Sequence, residues 1–258
     1  MECLQGKHAL FIDAAELQTR LMGYEEILVD LGTGDGRFVE HVAHAHPDCF
    51  VIGLDACREN LRTASRRAPC NALYLIANAL ALPADLQNLA TEVTINFPWG
   101  SLLEGLLTGE AALLTGLAVL ARPDAHLAVR LNGGALAEAG WSLPDGAAQV
   151  QRMLSANGFT IDRSVELEAA ALRQLPTTWA KRLAFGRDPR ALLLSGKRTG
   201  SGQLAAPLSL KPAHADGNLR GRAHGQLRRR HIGRHNCQAT VSCTAPIGVV
   251  GQLRFVGA

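Results

Sequence analysis

With 258 residues, 47% of them hydrophobic, the chain has enough apolar material for one large domain, or for one domain and an extension, around a sizeable core. No apolar run approaches the length of a membrane span, and the opening Met1-Glu2-Cys3-Leu4-Gln5-Gly6-Lys7 lacks the basic and long apolar regions of a signal peptide. The net charge of +3 hides a split: residues 1–196 hold 16 Lys and Arg against 22 Asp and Glu, a net of −6, while residues 197–258 hold 10 against 1, a net of +9.

Residues 1–20 suit a short hairpin or strand pair ahead of the main sheet. The apolar run from Ile27 to Leu31 reads as a buried strand with an acid, Asp30, near its end. It breaks into Gly32, Gly34 and Gly36, and a helix over about 37–46 follows. A second strand, about 50–54, ends at Asp55. A helix over about 57–68 carries Arg58, Arg62, Arg66 and Arg67, and Ala72–Ile76 is a third strand. After a loop through Ala79 and Pro83, Val93–Phe97 forms a fourth strand, closed by Pro98-Trp99-Gly100. Ser101 caps a helix that starts at Leu102, a second helix spans about 110–120, and Leu127–Leu131 is strand five. Residues 132–146, rich in Gly and Ala, read as a linker. A helix over 146–157, a strand opening at Phe159, a short helix over 168–174, a polar loop over 175–189 and a last strand at 191–195 complete the order. Strands alternating with helices imply an α/β fold with a mainly parallel sheet. The folded domain is placed at 1–196. Residues 197–258, with nine glycines and six arginines between 220 and 234, read as a disordered extension. Those arginines suit an RNA-holding arm, and a non-native tail suits the same composition.

Glycine spacing selects the ligand. A dinucleotide fingerprint needs G-x-G-x-x-G, but here the glycines fall at 32, 34 and 36 and position 37 is arginine. G-x-G-x-G after an acid is the pattern of S-adenosylmethionine (SAM) enzymes. Asp30 can accept from the cationic amino-acid end of SAM, and the loop amides can face its carboxylate. Asp55, about 20 residues on, stands at the usual distance for a ribose hydroxyl. A nicotinamide cofactor is the disfavoured alternative. The six cysteines (Cys3, Cys49, Cys57, Cys70, Cys237, Cys243) form no C-x-x-C pair and no metal spacing. No metal is expected, and free thiols point to a cytoplasmic protein.

Two tryptophans stand in unusual places. Trp99 follows a strand end beside the glycine loop. Trp179 sits among Lys181, Arg182 and Arg187. Aromatic plates with nearby positive charge are how proteins hold an unstacked base. Trp141, in the linker, is read as a packing residue.

Together, Asp30-Leu-Gly-Thr-Gly-Asp-Gly-Arg37, Phe97-Pro-Trp-Gly-Ser-Leu-Leu-Glu104 and Trp179-Ala-Lys-Arg-Leu-Ala-Phe-Gly-Arg187 resemble the aminoglycoside-resistance 16S rRNA (adenine-1408) N1-methyltransferases. The resemblance covers about 1–196 with the motifs in the same order. It implies a class I SAM-dependent methyltransferase, Rossmann-like, with a seven-stranded sheet. It also implies action as a monomer on helix 44 of the 30S ribosomal subunit, with the target adenine flipped between Trp99 and Trp179. The family's SAM contacts fall on Asp30, Gly32, Asp55 and Ala79, with Thr33 and Gly34 beside them. Its rRNA-docking residues fall on Arg66, Arg67, Arg182 and Arg187. Thr177 occupies the position of a family serine near the target base. Leu80 departs from the family pattern at the SAM adenine, and a lysine-rich insert is missing around Ala68–Asn71. Other readings remain: a methyltransferase of tRNA or a small molecule, or a non-catalytic SAM-binding factor of the ribosome.

Overall fold

The structure, a computed structural model, describes residues 1–186 and 189–199. In chain order, β1 (Glu2–Gln5) and β2 (His8–Phe11) form a hairpin and α1 (Ala14–Leu21) follows. The units β3 (Glu26–Leu31), α2 (Arg37–Ala45), β4 (Cys49–Asp55), α3 (Arg58–Ser65), β5 (Ala72–Ile76) and β6 (Ala90–Asn96) then alternate. Helices α4 (Gly100–Thr108) and α5 (Ala111–Leu120) precede β7 (Ala121–Asn132), α6 (Gly133–Glu138) and α7 (Leu143–Ala156). The remainder is β8 (Phe159–Leu167), α8 (Ala169–Gln174), α9 (Thr178–Phe185) and β9 (Ala191–Arg198).

The sheet has nine strands in the order β2-β1-β5-β4-β3-β6-β7-β9-β8. Seven of them, β5 through β8 in that order, form the expected class I sheet, and the hairpin adds two at the edge through antiparallel pairing of β1 with β5. In the seven-strand core, β5-β4-β3-β6-β7 pair parallel and β7-β9-β8 antiparallel. The chain leaves β3 toward β4 on one side and returns to its other side as β6. That reversal opens a crevice at the carboxyl ends of β3 and β6, where such sheets bind ligands.

Period-two alternation sorts the strands onto two faces. Ile27, Val29 and Leu31 of β3 join Phe50, Ile52 and Leu54 of β4 in a core covered by α1, α4, α5 and α7. Leu28, Cys49 and Val51 face the other way, under Phe38, Val39 and Val42 of α2 and Leu61 of α3. A small third cluster of Phe97, Leu172, Ala180 and Ala191 ties α8 and α9 to the end of β6. Among the described residues no single helix is long and apolar enough to cross a membrane; the apolar pair α4 and α5 is bent by 93°.

Four expectations are corrected. Ser101 does not cap a helix starting at Leu102: α4 starts at Gly100, with Trp99 at its N-cap and no side-chain cap hydrogen bond. The linker 132–146 holds helix α6, capped by Asn132, whose Oδ1 accepts from the Ala135 amide at 2.6 Å, and the start of α7, capped by Ser142. The polar loop 175–189 holds helix α9. The last strand runs on to Arg198. The rest of the expected extension, beyond Thr199, lies outside the described residues.

Candidate active site

The loop after β3 is shaped by glycine. Gly36 has φ +71°, and a Cβ there would stand 2.6 Å from Ala64 Cβ and 2.7 Å from Tyr74 Cε1. Only glycine adopts that angle without strain and clears those neighbours. Tyr74, buried under the loop, donates from its hydroxyl to Gly36 O at 3.1 Å. Four of the loop amides are spent on the protein itself. Gly32 N and Thr33 N donate to Leu54 O, Gly36 N to Thr33 O, and Gly34 N to Asp55 Oδ2 at 2.8 Å. Those four amides are therefore turned away from the carboxylate-binding role expected of the loop. Asp55 works as a loop anchor, its other oxygen accepting from Cys57 N at 2.8 Å and Asn60 Nδ2 at 3.3 Å.

Asp30 is fully buried. Its Oδ1 accepts from Thr94 Oγ1 at 2.7 Å and from Asn96 Nδ2 at 2.8 Å, while Oδ2 is buried with no partner. Strand register explains the contact, since Asp30 pairs with Thr94 across β3 and β6. Asn96 is itself oriented by Arg130 of β7, whose Nη1 donates to Asn96 Oδ1 at 2.8 Å. Burial pushes the Asp30 pKa up to about 6, with the polar Thr33, Thr94 and Asn96 side chains and the Arg130 charge pulling the other way. Burial lowers that of Arg130, with Asp30 and Glu92 opposing it.

Above Asp30 a cavity of about 520 Å³ is walled by the glycine loop, Asp55, Ala79 and Leu80 on one side and by Trp99, Thr177 and Trp179 on the other. The two indoles lie face to face, with ring centroids 5.5 Å apart and planes 13° from parallel, and they stay 44% and 41% exposed. They are held there by neighbours of opposite character. Before Trp99, Phe97 adopts φ +54°, an uncommon angle for an aromatic residue. Its ring nevertheless lies buried with Ala180 of α9, so one apolar cluster fixes both plates. Thr177, buried, caps α9 by accepting from Ala180 N at 2.9 Å, which aims the first turn and Trp179 at the cavity. Arg182, one turn on, places its guanidinium carbon 5.4 Å from the Trp179 ring centre.

Asp30, Gly32, Thr33, Gly34, Asp55, Ala79, Trp99, Thr177, Trp179 and Arg182 thus line a single cavity. Arg66 and Arg67 do not; both are exposed at the end of α3, and Arg67 lies 3.7 Å from Glu40 in an ion pair. Arg187 lies outside the described residues. Trp141 is half-buried against the core, away from the cavity lining. Sequence reasoning missed Thr94, Asn96 and Arg130 beneath Asp30. The signal was present in Val93-Thr94-Ile95-Asn96, where two polar residues alternate with core residues on a central strand.

Residues 2–198 match the family described as NpmA: 16S rRNA (adenine(1408)-N(1))-methyltransferase. The curated 16S rRNA (adenine(1408)-N(1))-methyltransferase of Escherichia coli is 32% identical over 217 residues, 76% of this chain and 98% of that protein. Its counterpart from Streptoalloteichus hindustanus is 34% identical over 214 residues, 76% and 99% of the two chains. Among solved structures, the antibiotic-resistance methyltransferase Kmr is 34% identical with a TM-score of 0.66, covering 78% of this chain and all of its own. A mutant of the Catenulisporales acidiphilia 16S rRNA (adenine(1408)-N(1))-methyltransferase, solved with cosubstrate SAM, is 27% identical with a TM-score of 0.70, covering 79% of this chain and 99% of its own. The match spans nearly the whole described chain and nearly the whole of each relative, and the chain belongs to the 16S rRNA (adenine(1408)-N(1))-methyltransferase family.

Proposed function

We propose that the chain transfers the methyl group of SAM to N1 of adenine 1408 of 16S rRNA, within helix 44 of the assembled 30S subunit, and thereby confers aminoglycoside resistance. The observation that carries this reading is the near-parallel Trp99–Trp179 pair standing exposed over a buried, half-satisfied carboxylate.

The cavity fits the cofactor. Asp30 Oδ2, buried without a partner, is placed to accept from an ammonium group, as the amino-acid end of SAM provides. Asp55 stands at the loop edge for a ribose, and Ala79 and Leu80 offer an apolar wall for an adenine. When bound there, SAM supplies an electrophilic methyl on a sulfonium. Adenine N1 carries an in-plane lone pair, so no general base is required to start the reaction. The protein's task is positioning: an in-line approach of N1 to the methyl, held by indole faces above and below. The product is a cationic base, and each indole stabilises developing positive charge by ~0.5–2 kcal/mol. The same plates offset the few kcal/mol of drawing a base from its stack.

Docking on the subunit falls to Arg66, Arg67, Arg182 and Arg187, because the domain as a whole is acidic and phosphate contact needs a local patch. We place the enzyme in the cytoplasm, acting as a monomer. The test is Trp99→Ala and Trp179→Ala, each assayed for methyl transfer to 30S subunits and for SAM binding by calorimetry. Stacking is worth roughly 1–3 kcal/mol per base, so transfer falls by about 5- to 150-fold while SAM affinity stays within a factor of two. Unchanged transfer in either variant removes the reading.

A further inference from the structure

Trp179 and the glycine loop are far apart in sequence, yet one side-chain contact joins them. Thr178, the first residue of α9, donates from its hydroxyl to Asp35 Oδ2. Asp35 sits between Gly34 and Gly36 in the loop under the cofactor cavity, and both residues line that cavity. Its carboxylate is steadied by Arg37, whose amide donates to Oδ1 at 3.3 Å and whose Nε lies 3.3 Å from Oδ2. The negative charge also lies at the N-terminus of α9, where the helix dipole favours it.

The plates need such a reference. Their centroids are 5.5 Å apart, whereas an aromatic ring held between two others at van der Waals distance needs about 7 Å, twice the ~3.5 Å contact. A base therefore enters only if the indoles part by about 1.5 Å. Trp99 stands at the N-cap of α4, just past the end of the central strand β6 at Asn96, whereas Trp179 rides on an eight-residue helix. The small cluster of Phe97, Leu172, Ala180 and Ala191 anchors that helix on one side; on its cavity side the Asp35–Thr178 contact is what ties it to the cofactor loop.

We infer that Asp35 and Thr178 are a pair of positioning residues that set the Trp179 plate, and so the target base, in register with the methyl donor bound on the same loop. Resting on the proposed reaction, the pair touches neither reacting atom; it fixes the distance between the two halves of the site when the plates open. Misplacement of about 1 Å costs on the order of a hundredfold in rate in oriented reactions.

Four variants of the full chain test this: Thr178→Val, Thr178→Ser, Asp35→Ala and the double variant Asp35→Ala/Thr178→Val. The readouts are the single-turnover rate of methyl transfer to 30S subunits at saturating SAM, and SAM affinity by calorimetry. Loss of a hydrogen bond to a charged group predicts a rate lower by about tenfold or more in Thr178→Val, SAM affinity within about twofold of wild type, and recovery in Thr178→Ser. The double variant is expected to be no slower than the slower single, as for a coupled pair. The inference is overturned by an unchanged rate in Thr178→Val, by an equal loss in Thr178→Ser, by a proportional loss of SAM affinity, or by losses that multiply in the double variant. A wild-type chain that leaves adenine 1408 unmodified refutes the proposed reaction instead, a result distinguishable from all four.

Discussion

Thr94 and Asn96 occupy one oxygen of Asp30 and leave the other bare inside the protein. With its pKa raised from 3.8 to about 6, Asp30 holds its proton longer in the folded than in the unfolded chain. In the free protein its contribution to stability therefore declines as pH rises from about 4 to about 6 and is level above that. Cofactor binding runs the other way, because only the ionised form attracts an ammonium. SAM affinity is expected to fall by about tenfold per pH unit below pH 6 and to be flat above it. Asp30→Asn should bind SAM more weakly at pH 8 and lose that pH dependence. Calorimetric titrations from pH 5 to pH 8 check both, and a variant with the wild-type profile contradicts the role given to Asp30. The acid itself was legible from its place before the glycines. Its supporting Thr94, Asn96 and Arg130 were not, because they lie 64 to 100 positions away and meet it only through strand register.

At the scale of elements, the loop and α9 decide whether the site exists. Gly36→Ala must strain a φ of +71° and push against Ala64 and Tyr74, a loss of ~1–3 kcal/mol or more. Thr177→Ala removes the cap of α9 at a loss of ~1 kcal/mol, and Thr177→Ser should restore it. Urea midpoints measure both; Gly36→Ala is expected to shift the midpoint more than Thr177→Ala, and Thr177→Ala to lose activity beyond its small shift because Trp179 is two residues away. The glycine loop could be read from sequence since it is a local motif with local geometry. Helix α9 could not: eight residues with Lys181 and Arg182 inside have weak periodicity, and their apolar partners, Phe97, Leu172 and Ala191, come from elsewhere in the chain. Helix α6 was hidden in the same way, its Gly133 and Gly134 resembling a linker while Asn132 supplied the cap. The hairpin β1–β2 was anticipated, but its fusion to the main sheet rests on the pairing of Cys3 with Leu75.

For the whole molecule, the acidic balance of residues 1–196 gives no general field that attracts phosphate. The proposed docking on the 30S subunit therefore falls to a few exposed arginines. Arg66→Glu is expected to weaken 30S binding and lower its salt dependence by about one phosphate contact, with SAM affinity unchanged. Arg67→Glu should do less, since Arg67 already lies beside Glu40. Pull-downs at several salt concentrations separate the two. The curated relatives from Escherichia coli and Streptoalloteichus hindustanus align over 98% and 99% of their own length with 76% of this chain, and the family match ends at Arg198.

Two indoles, Trp99 at the start of α4 and Trp179 in α9, present one adenine of 16S rRNA to a methyl donor in the proposed reaction. Primer extension on 16S rRNA from cells expressing the full chain tests it most directly. A reverse-transcriptase stop at adenine 1408 with the wild-type chain, weakened in both Trp99→Ala and Trp179→Ala, is the predicted result. No stop with wild type, or a stop undiminished in either variant, contradicts it.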